Sequence, residues 1–176
     1  MFDRLSRLSA KEKGKILLKV RQTALEDEKA ATGCARSVLH ALHKHLGIGH
    51  EDFIKAAAPF AGGGARSGNL CGALAGGMMG IGLVYAPNAI RNSTAMPGYI
   101  KCMELAGVLC DRFKGKFGAF NCREIQSLMW GRSWNLRDSR EREDFLRPEF
   151  HDKCGEVAGE AAILAAEIIL ENAVCD

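Results

Sequence analysis

The stretch Leu70-Cys71-Gly72-Ala73-Leu74-Ala75-Gly76-Gly77-Met78-Met79-Gly80-Ile81-Gly82-Leu83-Val84-Tyr85 decides how this chain is read. It sits inside the longest uncharged run, residues 67–90, whose apolar core extends from Leu70 to Ala86. A membrane-spanning helix needs about 20 strongly apolar residues. This run approaches that length but is diluted by Gly72, Gly76, Gly77, Gly80 and Gly82, so it reads as a buried central helix over 70–85. Gly72, Gly76 and Gly80 recur every four residues and therefore stack on one helix face. A face without side chains lets a second backbone approach closely.

Outward from this helix the pattern remains helical. Ser9 with Glu12 three residues on has capping-box spacing, and Ile16, Leu17, Val20 and Ala24 form the stripe of a first amphipathic helix, Ser9 to Lys29. Thr32 is an N-cap candidate for a second, with Cys34, Val38, Leu42 and Leu46 at helical spacing and Gly47 as the stop. A short helix, Glu51 to Ala58, ends at Pro59 and gives way to a glycine-rich loop, 61–68, that leads into the central helix. Pro97 opens a helix over 99–116, Asn121 caps a short one, and Pro148 opens the last element, with a long helix over 157–174. Residues 131–147 carry five arginines among four acids and read as a charged, solvated excursion. No run alternates with period two. The expectation is a single all-α domain over 1–176, an irregular bundle of about five to seven helices with the N-terminal helix in 1–30.

Composition narrows the function. A length of 176 residues suits one domain and suffices to bury a core without staples. A net charge of +3, with no basic run interleaved with aromatics, argues against nucleic acid as a partner. The charged N-terminus lacks the apolar core of a secretory signal, and no segment reads as a membrane span, so the expected location is cytoplasmic. Seven cysteines then stand out, because in a reducing compartment they point to metal or redox chemistry rather than to disulfides.

The cysteines divide by setting. Cys34, Cys71, Cys122 and Cys154 each follow a cap-like residue and fall in the first turn of an expected helix, where free N–H groups and the helix dipole favour a thiolate. Cys102 and Cys110 lie within a helix and read as core, and Cys175 reads as incidental. The four are separated by 37, 51 and 32 residues, so spacing alone does not bring them together. No C-x-x-C pair is present, which removes zinc-ribbon and thioredoxin motifs.

The block Cys71-Gly72-Ala73-Leu74-Ala75-Gly76 (CGAxxG) follows Gly62-Gly63-Gly64. It is flanked by Gly33-Cys34-Ala35-Arg36 upstream and by Asn121-Cys122-Arg123-Glu124 and Cys154 downstream. This arrangement resembles the C-GCAxxG-C-C family of redox-active four-cysteine proteins, related to the non-haem domain of split-Soret cytochromes. The resemblance extends over roughly residues 23–174. It implies that Cys34, Cys71, Cys122 and Cys154 act as a set in redox chemistry. The arginine-rich segment and the N-terminal helix look longer than the family pattern, which leaves room for a specialised partner or a homodimer contact.

Other groups have plainer readings. His40, His43, His45 and His50 do not share a helical face with Cys34 and read as surface polar groups; His151, three residues before Cys154, is the better candidate ligand. The loop 62–68 lacks a P-loop lysine and reads as a turn beside the cysteines, with Arg66 as an anion contact. Met78 and Met79 read as core. Three functions follow. The first is an iron–sulfur or other metal centre held by Cys34, Cys71, Cys122 and Cys154, with His151 as a further ligand, serving electron transfer or redox sensing with an unidentified electron partner. The second is a metal-free thiol–disulfide oxidoreductase in which Cys71 attacks and Cys34 or Cys122 resolves. The third is a structural zinc-binding interaction module.

Overall fold

The structure, a computed structural model, describes residues 2–173, and Cys175 lies outside them. Within that range the chain forms nine α-helices and no strand: α1 Phe2–Ser6, α2 Ala10–Lys29, α3 Cys34–Leu46, α4 Glu51–Ala56, α5 Gly72–Tyr85, α6 Pro97–Phe117, α7 Cys122–Trp130, α8 Ser139–Phe145 and α9 Pro148–Glu171. The expected all-α class holds. The count exceeds the expected one because two short helices, α1 and α8, form in segments dense in charge. Leu5 of α1 is fully buried, and α8 is capped by Asp138 Oδ1, which accepts from the N–H groups of Arg140 and Glu141.

Helix α2 starts at the capping box read from sequence: Ser9 Oγ accepts from Glu12 N at 3.3 Å, and Glu12 Oε2 accepts from Ser9 N at 2.9 Å. Ser9→Ala is expected to cost about 1 kcal/mol, lowering the melting temperature by about 2–4 °C in a thermal melt.

The centre is built from small residues. Helix α5 packs against α3, α6 and α9. A β-carbon on Gly76 would lie 2.7 Å from the Ala35 carbonyl oxygen and 3.1 Å from Ala35 Cα, so α3 and α5 meet backbone to backbone, as the glycine spacing predicts. The last helix, α9, presents Ala158, Ala161, Ala162, Ala165 and Ala166, all fully buried. Its Gly155 and Gly159 would each place a β-carbon 3.0 Å from a carbonyl of α2, at Leu25 and Arg21. Glycine costs about 1 kcal/mol in a helix interior; the close dispersion contacts it permits offset that cost.

Three helix starts differ from the sequence reading. Gly33, at φ 101°, takes the N-cap of α3 in place of Thr32. Helix α5 begins at Gly72 with Cys71 as N-cap, because Leu70 is drawn into an antiparallel bridge with Asn121. Helix α9 begins at Pro148, so Cys154 lies in its second turn rather than its first. No helix among the described residues is long and apolar enough to cross a membrane.

Candidate functional site

The bridge at Leu70 and Asn121 has local consequences for two cysteines. Cys71 N donates to Phe120 O at 2.8 Å, Cys122 N donates to Asn69 O at 2.7 Å, and Arg123 N donates to Gly68 O at 3.0 Å. The amides that open α7 are thus satisfied by main-chain carbonyls, and Asn121 makes no side-chain cap. This ladder joins the start of α5 to the start of α7. Cys34, the first residue of α3, enters beside them because Gly72 has no side chain: a β-carbon there would overlap Cys34 Sγ and stand 2.6 Å from Phe60 O. Cys154 arrives from α9. All four cysteines line one cavity of about 200 Å³, and each senses at least one of the others electrostatically. Cys102 and Cys110 pack against the core instead.

Five consecutive residues of the loop ahead of Cys71 are left-handed. Gly62, Gly63, Gly64, Ala65 and Arg66 all have positive φ, from 45° to 79°. Glycine adopts such angles freely, whereas Ala65 and Arg66 each pay about 1–2 kcal/mol. Ala65 N donates to Pro59 O at 2.5 Å and Arg66 N to Ala61 O at 3.1 Å, which holds the turn.

Sequence reasoning missed Glu28. It is 5% exposed yet lines the cysteine cavity. Its Oε2 accepts from Ser37 Oγ at 3.1 Å, and its Oε1 lies 3.5 Å from His151 Nε2. The available signal was a carboxylate continuing the four-residue steps of Ile16, Val20 and Ala24. His151 does line the cavity, but its Nε2 faces Glu28. The other histidines have local tasks: His40 pairs with Asp27, His45 with Thr23, His43 Nδ1 lies 3.2 Å from Ile48 O, and His50 caps α4.

The segment 131–147 corrects the reading of a solvated excursion. Its charged side chains are largely exposed, but Trp134, Leu136 and Phe145 are buried and pack with Trp130, Phe150, Cys122 and Cys154. Trp134 meets Trp130, Phe145 and Phe150 at ring-centroid distances of 5.7, 5.2 and 4.9 Å. Buried Gln126 couples this aromatic cover to the cysteines: its Oε1 accepts from Trp134 N at 3.0 Å, and its Nε2 donates to Cys122 Sγ at 3.5 Å. Periodicity could not reveal the cover, because its three anchors are spaced irregularly among charges.

The thiols also behave differently from the helix-start expectation. Burial is the largest cause at all four and pushes their pKa up, to about 12 for Cys71 and Cys122, and upward for Cys34 and Cys154. The Ala73 and Leu74 amides favour a thiolate at Cys71, as do the Gly62 and Ala35 amides at Cys34, but burial outweighs them. The magnitudes explain this. A helix terminus contributes about 0.3–1 kcal/mol, whereas full burial moves a pKa by up to about 3–5 units. In the ligand-free protein the thiols are therefore neutral. No group of three or more His, Cys, Asp or Glu among the described residues stands close enough to hold a single metal ion.

Two outcomes follow for the ligand-free protein. Iodoacetamide at pH 8 should label these four cysteines about a hundredfold or more slower than a free thiol, because thiolate is the reactive form. Mass spectrometry should show Trp134→Ala restoring labelling at Cys122 and Cys154 before Cys34 and Cys71. Stability should fall as pH rises above about 8.5, where unfolded thiols ionise and folded ones retain their protons; denaturant midpoints at pH 8 and pH 10 measure it.

A family model described as "Putative redox-active protein (C_GCAxxG_C_C)" matches residues 32–168, a span that contains all four cavity cysteines. No curated protein and no solved structure matches the chain.

Proposed function

The chain belongs to the redox-active C_GCAxxG_C_C family, and on that premise we propose that Cys34, Cys71, Cys122 and Cys154 hold an iron–sulfur cluster serving electron transfer or redox sensing. The observation that carries the reading is the convergence of four cysteines, from α3, the α5 N-cap, α7 and α9, on one cavity of about 200 Å³. The donor set fits the group: four soft sulfurs suit iron–sulfur chemistry, and amides beside Cys34 and Cys71 favour their thiolate forms. The cavity exceeds by several-fold the roughly 30 Å³ share of one water, so it suits a polynuclear group better than a lone ion. When bound, such a group supplies one-electron transfer. Cys34, Cys71, Cys122 and Cys154 would give up their protons and hold the group, with Leu136 and Phe145 of the cavity wall beside it.

A zinc module fits less well, because a tetrahedral Zn²⁺ site needs sulfurs at about 2.3 Å from one point and the described residues form no such group. Metal-free dithiol exchange needs an accessible low-pKa thiolate, while Cys71 is buried, its three partners are half-buried, and desolvation raises all four thiols. The test is anaerobic purification followed by a visible spectrum and iron, sulfide and zinc analysis of one sample. Brown protein with iron and acid-labile sulfide is expected. Colourless, metal-free protein after anaerobic iron and sulfide reconstitution would sink the cluster reading; zinc without iron would favour the structural module.

A further inference from the structure

The cysteine cavity is lined by two arginines, Arg66 of the left-handed loop and Arg142 of α8. Among the described residues Glu28 is the one carboxylate lining it, and it is committed to Ser37 and His151. Arg142 Nη1 donates to Leu136 O at 3.2 Å, which leaves most of its five N–H donors unassigned. Arg66 has no carboxylate partner among the described residues, and its backbone holds a φ of 60° that arginine rarely adopts. Strain of this kind clusters at ligand sites. Three acids close in sequence to Arg142 have partners of their own. Asp138 caps α8, Glu141 accepts from Asn135 N at 2.8 Å, and Asp144 accepts from Trp134 Nε1 at 2.7 Å while pairing with Arg147. Arg137 extends the positive surface, its Nε donating to Ala65 O at 3.2 Å.

We infer that Arg66 and Arg142 form a binding site for a small oxyanion in the cysteine cavity. Guanidinium groups match the planar, multidentate acceptors of phosphate, sulfate and short carboxylates, and a partly enclosed site strengthens such bonds. That the anion is a redox substrate rests on the proposed redox function; that it binds does not. The experiment is calorimetric titration of the purified full chain at low ionic strength with sulfate, inorganic phosphate and acetate, iron content being measured on each sample. Saturable binding of at least one anion is expected. It should weaken about tenfold or more in Arg142→Gln and in Arg66→Gly, the loss of charge-assisted hydrogen bonds, and stay unchanged in Arg91→Gln, an exposed arginine of the connection between α5 and α6 that does not line the cavity. Arg66→Gly relaxes the backbone, so its effect is not a folding failure, and thermal melts check this for each variant. Binding retained in iron-free protein would support the site even if the cluster reading failed. No saturable binding of any of the three anions, or equal affinity in Arg66→Gly, Arg142→Gln and the parent, would overturn it.

Discussion

Cys71→Ser is expected to lower iron and sulfide incorporation by about tenfold or more while leaving the fold intact. The two effects separate because of where Cys71 sits. It is the N-cap of α5, at φ −53° and ψ 128°, with the Ala73 and Leu74 amides favouring negative charge on its sulfur. Serine is among the best N-cap residues. A hydroxyl can take up those amides, so burying it should change metal-free stability by no more than about 1 kcal/mol. A hydroxyl is nevertheless a poor substitute for thiolate toward iron. Metal analysis and a thermal melt on the same preparation read both quantities. Parental iron content in Cys71→Ser would remove Cys71 from the ligand set. A collapse of the metal-free fold would instead show that its role is packing.

Alanine substitution at two helical glycines should have opposite effects. At Gly76 the new β-carbon meets Ala35 O at 2.7 Å and Ala35 Cα at 3.1 Å, and neither backbone atom can rotate away. Helices α3 and α5 must part. Overpacking of this kind costs about 1–3 kcal/mol, and the loss extends to Ala35, next to Cys34. Gain in helix propensity returns about 1 kcal/mol, so Gly76→Ala should destabilise by about 1 kcal/mol net, and Gly76→Val by more. At Gly107 of α6 nothing lies within 4 Å of the added carbon. There the propensity gain acts alone, and Gly107→Ala should stabilise by about 0.5–1 kcal/mol. Denaturant unfolding of both variants measures the contrast; equal effects would mean that α3 and α5 are not in backbone contact.

Sequence reasoning reached Gly76, with Gly72 and Gly80, because steric requirements repeat with the helix period. The Ser9 and Glu12 box, Pro97 and Pro148 at helix starts, and the αL stop at Gly47 were legible for the same reason: each is a local rule satisfied within a few residues. What escaped was non-local. Asn121 looks like a cap, but main-chain carbonyls some fifty residues away do its work. Cys154 looks like a helix start only when Pro148 is not counted as the first helical residue. Glu28 and His151 are a buried pair formed by helices more than a hundred residues apart. Gathering Cys34, Cys71, Cys122 and Cys154 around one cavity was a matter of family resemblance, since gaps of 37, 51 and 32 residues carry no geometric instruction.

The cavity also has a schedule. Its wall draws on residues from Glu28 to Val157, and α9 contributes both His151 and Cys154. During synthesis, helices α2, α3 and α5 are complete long before α9 has been made. At that stage Gly76 and Ala35 can already dock, but the chamber stands open on the side that α9 will close. Synthesis proceeds at about 5–20 residues per second, so an unfinished chain holds exposed thiols for several seconds before the last wall arrives. Whatever occupies the chamber gains its fourth cysteine only once α9 has been made, and a nascent chain stalled before Cys154 would be the form most open to oxidation.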